Sequence, residues 1–338
     1  MAGRAAARSD QCMTGLLPTR CQELLDHQQG IIARWQAAEA GLSMTMVDQW
    51  LRLHRWQPLY SGVYASFTGE PGRTAVLWAA VLRAGPGALL SHWTAAELDL
   101  LTEAGAAIHV TIPAAQRIRI PAVECPPLLP AIIVHRSARA AEARHPARVP
   151  PRTRVEETAI DLTQVAFSLE EAMSWLIRAC GRRLTTPPLL DAAMAARPRL
   201  RWRSELSTAL ADISDGVHSA LELRYVRHVE RPHGLPRAVR QAASKVAGRS
   251  RYLDNHYQEF GVAVELDGQV AHPVEARWRD IHRDNASATL GLLTLRYGWA
   301  DVTTHPCQVA AQIGEVLRLR GWTGRLRACA PACIAAHS

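Results

Sequence analysis

Lysine is nearly missing from this chain: of 39 basic residues only Lys245 is one. The positive charge is therefore almost wholly guanidinium, which stays ionised and grips phosphates and base edges in two-pronged fashion. The same bias also arises from a GC-rich genome. Long apolar runs are absent, and none could span a bilayer as a helix, so a helical membrane protein is excluded. Paired cysteines are absent too. The seven, at 12, 21, 125, 180, 307, 329 and 333, include no CxxC, and Cys329 and Cys333 lie alone in an Ala/Pro-rich tail. That pattern argues against a zinc site and against a disulfide scaffold. It favours a reducing compartment, with the cytoplasm as the default. The opening MAGRAAARSDQCMTG has arginines but no apolar segment behind them, so it does not read as a secretory signal. Residues 1–19 are expected to form a disordered tail.

What is present is a hydrophobic content of 48% over 338 residues, enough for two or three globular domains. Net charge is +8 and uneven. Between Gln116 and Arg154 eight arginines face only Glu124 and Glu142, a local excess of +6. Such a stretch reads either as a surface for nucleic acid or as a solvated loop.

Pattern divides the chain into an α+β, multidomain order. RCQELLDHQQG and ARWQAAEAG read as helices stopped at Gly30 and Gly41. Ser43 then caps MTMVDQWLRLHRW, where Met46, Trp50, Leu53 and Trp56 fall on one stripe. QPLYSGVYASF reads as a hairpin around Ser61-Gly62. Helices followed by a β wing are the layout of a winged helix-turn-helix over residues 20–70. This region is similar to the winged-helix domain of the abortive-infection type IV antitoxin family. ALLSHWTAAELDLL, IHVTIP, IIVHRS and RVEETAIDLT resemble that family's second domain, placed at 71–202 and α/β in character. The resemblance implies DNA binding, with Gln49, Arg52 and Arg55 of the second helix as groove or phosphate contacts, and a cognate toxin or phage-defence protein as partner. Against it, residues 20–70 carry four arginines and five acids, poor charge for a module that depends on phosphate contacts. Within 71–202, His92 and His135 read as lone structural histidines and no catalytic constellation is visible.

The last segment, 203–322, is more specific. SALELRYVRHVE reads as a helix, RAVRQA, RYLDNHY and GVAVELDG as three strands, EARWRDIHRDNASATLG as a helix and LLTLRYGW as a strand. This α-β-β-β-α-β order is the core of the restriction-endonuclease-like, PD-(D/E)XK fold. PCQVAAQIGEVLRLRG closes it as a helix, and 323–338 reads as a tail. Alternation puts Val262, Val264 and Leu266 on one strand face and Ala263, Glu265 and Asp267 on the other. A short turn lets Asp254 face them across an antiparallel pair, within about 5 Å. Three such carboxylates suit a hard divalent cation, Mg2+ or Mn2+, able to activate a water against a phosphodiester.

SALEL, YLDNHYQEFGVAVELDGQVAH, RDIHRDN and LLTLRYGWADV resemble an uncharacterised family related to very short patch repair endonucleases. The resemblance implies that Asp254 is the first metal ligand and Glu265 the second acid. It makes His272 a proton-transfer residue and Glu222 the helix acid that completes the site. Plainer readings stand beside these. Ser219 and Glu222 also form a capping box, and His272 precedes Pro273 as a turn residue would. Arg279, Arg283 and Arg296 read as phosphate contacts, or as a solvated face paired with Asp280 and Asp284. Two positions depart from the motif: Leu253 stands for its proline and Asp267 for its lysine. The expected function is a Mg-dependent DNA endonuclease, or a DNA-binding regulator whose nuclease fold is degenerate.

Overall fold

The computed structural model describes residues 17–118, 129–246, 249–267, 289 and 291–337. The fold is mixed α and β, in two compact units, Met1–Thr158 and Ala159–Ser338.

In the first unit the order is α1 (Thr19–His27), β1 (Ile31–Ala33), α2 (Arg34–Glu39), α3 (Met44–Arg52), β2 (Gln57–Tyr60) and β3 (Val63–Ala65). The strands form an antiparallel sheet in the order β1-β3-β2. Gly30 lets α1 turn into β1: its φ is 78°, and a Cβ there would lie 2.9 Å from the Phe67 ring. Alternation then divides the sheet's buried residues between two layers. Ile32 and Tyr64 pack with Cys21, Leu25, Ala37, Leu42, Val47 and Trp56. Ile31, Ala33, Val63 and Ala65 pack with the apolar residues of α4 (Arg73–Ala84). The same core takes in a second sheet in the order β4 (Leu89–Leu90), β5 (Ile108–Pro113) and β6 (Ile132–Ser137). There β4 runs antiparallel to β5, and β6 parallel to it.

Three expectations for this unit change. Ser43 precedes α3 but its side chain makes no capping bond. The apolar stripe does not run on to Trp56, because the chain reverses at His54 (φ 52°) to enter β2. Leu53 is left 54% exposed, while Val47 and Trp56 are buried. Helix α3 stops at Arg52, so Arg55 lies in the turn beyond it. The basic stretch is also partly neutralised. Arg152 forms a buried pair with Asp99 at 3.0 Å, and Arg139 reaches Glu157 at 2.9 Å.

Helix α7 (Val155–Val165) carries the boundary between the units. The second unit continues with α8 (Leu169–Gly181), α9 (Pro187–Ala195), α10 (Arg203–Ser214) and α11 (Ala220–Tyr225). Helix α11 runs on into a π-wound turn, Val226–Glu230. A four-stranded sheet follows, from β7 (Val239–Val246), β8 (Arg249–Tyr257), β9 (Val262–Asp267) and β10 (Leu293–Gly298), in the order β10-β9-β8-β7. The first three strands form an antiparallel meander and β10 lies parallel to β9. The helix expected over 275–291 falls almost wholly outside the described residues. Helices α12 (Trp299–Thr304) and α13 (Pro306–Leu319) complete the unit.

A buried polar network joins the sheet to the π-wound turn. The Arg240 guanidinium donates to both Glu230 oxygens, at 2.9 and 2.6 Å, with both side chains 6% exposed. The hydroxyls of Tyr225 and Tyr257 meet beside it at 2.7 Å. Removing one partner of so buried a pair typically costs about 3–5 kcal/mol.

Residues 323–337 are not the loose tail expected from their composition. Arg327 N donates to His233 O at 2.8 Å, and Cys333 and Ala335 are buried. The strap passes so close to α13 that a Cβ on Gly314 would lie 2.7 Å from Leu326 Cδ1.

Candidate functional site

Register fixes where the second unit's acids stand. Strands β8 and β9 pair Asn255 with Val264, His256 with Ala263 and Tyr257 with Val262. Continuing by one residue sets Asp254 opposite Glu265, on one face of the sheet. Asp254 Oδ2 accepts from Leu266 N at 2.9 Å, which holds its carboxylate toward β9. On the other side the pairs Arg240↔Asn255 and Ala242↔Leu253 bracket Gln241 opposite Asp254. Gln241 has a φ of 45°. Its side-chain Nε2 lies 3.5 Å from Asp254 Oδ1 and 3.4 Å from Glu222 Oε2. One amide thus sits between two carboxylates, at the long limit of hydrogen bonding.

Glu222 reaches this place from the first turn of α11. Ser219 Oγ accepts from Glu222 N at 3.1 Å, and the carboxylate accepts from His218 N at 2.9 Å. Capping and site membership are therefore not alternatives; the helix start aims the acid. Burial leaves Glu222 only 5% exposed and raises its pKa, and the nearby Asp254 charge adds to the rise. The His218 amide pulls the other way.

Strand β10 brings a cation to the same edge. Arg296 pairs in register with Glu265, and Gly298 with Asp267. The Arg296 guanidinium lies 3.1 Å from Glu265 Oε2 and 3.8 Å from Asp267 Oδ2. Arg296, expected to contact phosphate, is thus held among the acids and offsets their charge. Asp267 is about half exposed. His256 shares the Asp254 face two residues along, and burial lowers its pKa, which keeps it neutral at neutral pH.

The structure therefore brings Glu222, Asp254, Glu265, Asp267 and Arg296 to one end of the sheet. His272, Arg279 and Arg283 lie outside the described residues. Gln49 and Arg52 are exposed three residues apart on α3, which places them on one helix face, and Arg55 is exposed in the following turn. Gln241 was missed in the sequence, where only its strand parity with Asp254 could have pointed to it. The donors gathered here are carboxylate oxygens, the kind a hard divalent cation takes, and burial does most to raise Glu222, with the Asp254 charge adding to it.

Two other readings are corrected. His92 and His135 are not lone: their rings stack at 3.6 Å, and His109 Nδ1 lies 3.0 Å from His135 Nε2. Burial, with the neighbouring His109, lowers His135 to about 4, and burial lowers His109 as well, so this half-buried pair stays neutral at neutral pH. His92 Nδ1 continues it to Ser91 Oγ at 3.0 Å. The scattered cysteines converge as well. Cys307, Cys329 and Cys333 meet His233 with their ligand atoms all within 4.8 Å of one another.

No family model matches the chain, and no curated protein matches it. A solved structure, the RV2827C protein from Mycobacterium tuberculosis, is similar over 57% of this chain and 76% of that one. Identity is 16% and the TM-score 0.35.

Proposed function

We propose that the second unit is a Mg2+- or Mn2+-dependent DNA endonuclease of the PD-(D/E)XK type, and that residues 20–70 are a winged helix that binds DNA. The observation carrying this reading is the convergence of Glu222, Asp254 and Glu265, from a helix and two adjacent strands, at one end of a sheet. A three-strand meander followed by a fourth strand parallel to the third supports it, as does the order α1-β1-α2-α3-β2-β3 in the first unit. Asp254 and Glu265 would hold the ion, with Asp267 alongside. A bound divalent ion supplies an activated water and neutralises charge on the scissile phosphate.

The chain's own residues do the rest. Glu222 and Gln241 orient Asp254 from behind. Arg296 supplies, between Glu265 and Asp267, the positive charge that the missing motif lysine would give; it drops the acids' repulsion toward phosphate. His256, kept neutral by burial on the same face, would serve as a base there.

A second reading, a DNA-binding regulator of antitoxin type with an inert nuclease fold, is favoured by one observation: Arg296 already engages Glu265. The deciding test is cleavage of supercoiled, linear and mismatched DNA with Mg2+ or Mn2+. Cleavage that disappears in Glu265→Ala supports the nuclease. Equal inertness of wild type and Glu265→Ala on all three substrates leaves the regulator.

A further inference from the structure

The strongest unassigned cluster is the group of His233, Cys307, Cys329 and Cys333. His233 lies just past the π-wound turn and is fully buried. Its Nδ1 lies 2.8 Å from Val229 O, so Nδ1–H donates there and the Nε2 lone pair is left to point elsewhere. Nε2 is buried with no hydrogen-bond partner among the described residues. A buried imidazole nitrogen without a partner is costly, and a metal ion removes that cost. A carbonyl that fixes the ring through its other nitrogen is the usual arrangement behind a metal-bound histidine.

The sulfur geometry agrees. Cys307 Sγ and Cys329 Sγ are 3.6 Å apart, far beyond the roughly 2.05 Å of a disulfide. Two thiolates at about 2.3 Å from one tetrahedral zinc are separated by about 3.8 Å. Thiolates and imidazole are the donor set of zinc, not of magnesium.

We propose that His233, Cys307, Cys329 and Cys333 form a structural zinc site that fastens the 323–337 strap to α13 and to the end of α11. With four protein ligands the site is closed, so its role is to hold the fold rather than to bind substrate. It is independent of the carboxylate cluster and of the nuclease reading.

The test uses the full chain, purified reduced and without added metal. Elemental analysis should find about one zinc per chain. After removal of zinc, Co2+ alone should give the absorption of a tetrahedral site with thiolate-to-cobalt charge transfer. Cys333→Ser and His233→Ala should lose the metal, while Cys21→Ser and Cys180→Ser keep it. Chelation should speed tryptic cleavage at Arg325 and Arg327, within the strap. Reduced wild-type chain that takes up neither zinc nor Co2+ overturns the site. So does a folded His233→Ala, Cys333→Ser double variant with an unchanged cobalt spectrum. If those variants do not fold, the wild-type spectrum decides: absence of thiolate charge transfer rejects the assignment.

Discussion

The second unit holds two side-chain clusters, one of carboxylates and one of imidazole and thiols, built on opposite principles. Glu222, Asp254 and Glu265 come from 44 consecutive residues and are aligned by strand register and a helix start. His233, Cys307, Cys329 and Cys333 span 101 residues and meet only because a strap folds back over α13. The first cluster is charged, spans the two central strands and a helix start, and is fixed by the backbone amides of Leu266 and His218. The second has a buried histidine fixed through its own backbone bond. Oxygen donors under mutual repulsion suit a cation that must exchange water; thiolates and imidazole in a closed group suit one that stays.

Substitutions should separate the two. Asp254→Ala and Glu265→Ala are expected to cut DNA cleavage by at least about 10³-fold, the several kcal/mol that a catalytic cation contributes. Their thermal unfolding should stay close to that of wild type. Cys333→Ser, or chelation, should do the reverse. The melting temperature should fall by about 10 °C, as for loss of a fold-holding metal, with cleavage per folded molecule retained. A single variant that abolishes cleavage and metal retention together at an unchanged melting temperature would merge the clusters into one system.

Smaller effects sharpen the picture. Arg52→Ala with Arg55→Ala should weaken DNA affinity by about tenfold and reduce the salt slope by about 2, the loss of two phosphate contacts. An unchanged slope in a salt titration would remove α3 from the interface. Glu222→Gln should raise stability slightly at neutral pH. The folded-state pKa of Glu222 is raised, so its ionised form costs stability above that pKa, and the cost vanishes as pH falls through it. The gap between wild type and Glu222→Gln should therefore close on acidification, in melting curves taken across the acid range. His135 works in the opposite sense. With a folded pKa of about 4, its contribution is complete above about 6.5 and lost as pH falls from there toward 4. His135→Phe should flatten that part of the stability profile.

How much of this was legible follows from the same contrast. Asp254, Glu265 and Asp267 could be placed from alternation and one short turn, because strand period and pairing are local rules. The antiparallel meander of β7 to β9 was legible from the short loops between three strands, whereas the place of β10 beside β9 was not read from the sequence. The histidine and cysteine cluster was not legible. His233 is 74 residues from Cys307, and the 21 and 3 residues that intervene between the successive cysteines match no common zinc signature. Gln241 was hidden for another reason: its positive φ interrupts the ladder at the point where it meets Asp254. The β2–β3 hairpin was legible from Ser61-Gly62, but the stripe through Trp56 was not a helix, since nothing in its periodicity shows that His54 reverses the chain.

The core shared by β1–β3, α4 and the β4-β5 strands has a consequence for how the first unit breathes. Strands β1 and β3 cannot detach without exposing Ile31, Val63 and Ala65 together with the apolar side of α4. Hydrogen exchange should therefore protect the amides of Ile31–Ala33 and Val63–Ala65 as strongly as those of Ile108–Pro113, in one cooperative opening. Helices α1 to α3 rest on a separate, smaller cluster against the sheet's other layer, and should open first. Helix α3 is thus among the parts of this unit free to yield and re-form on their own, over strands that behave as bedrock.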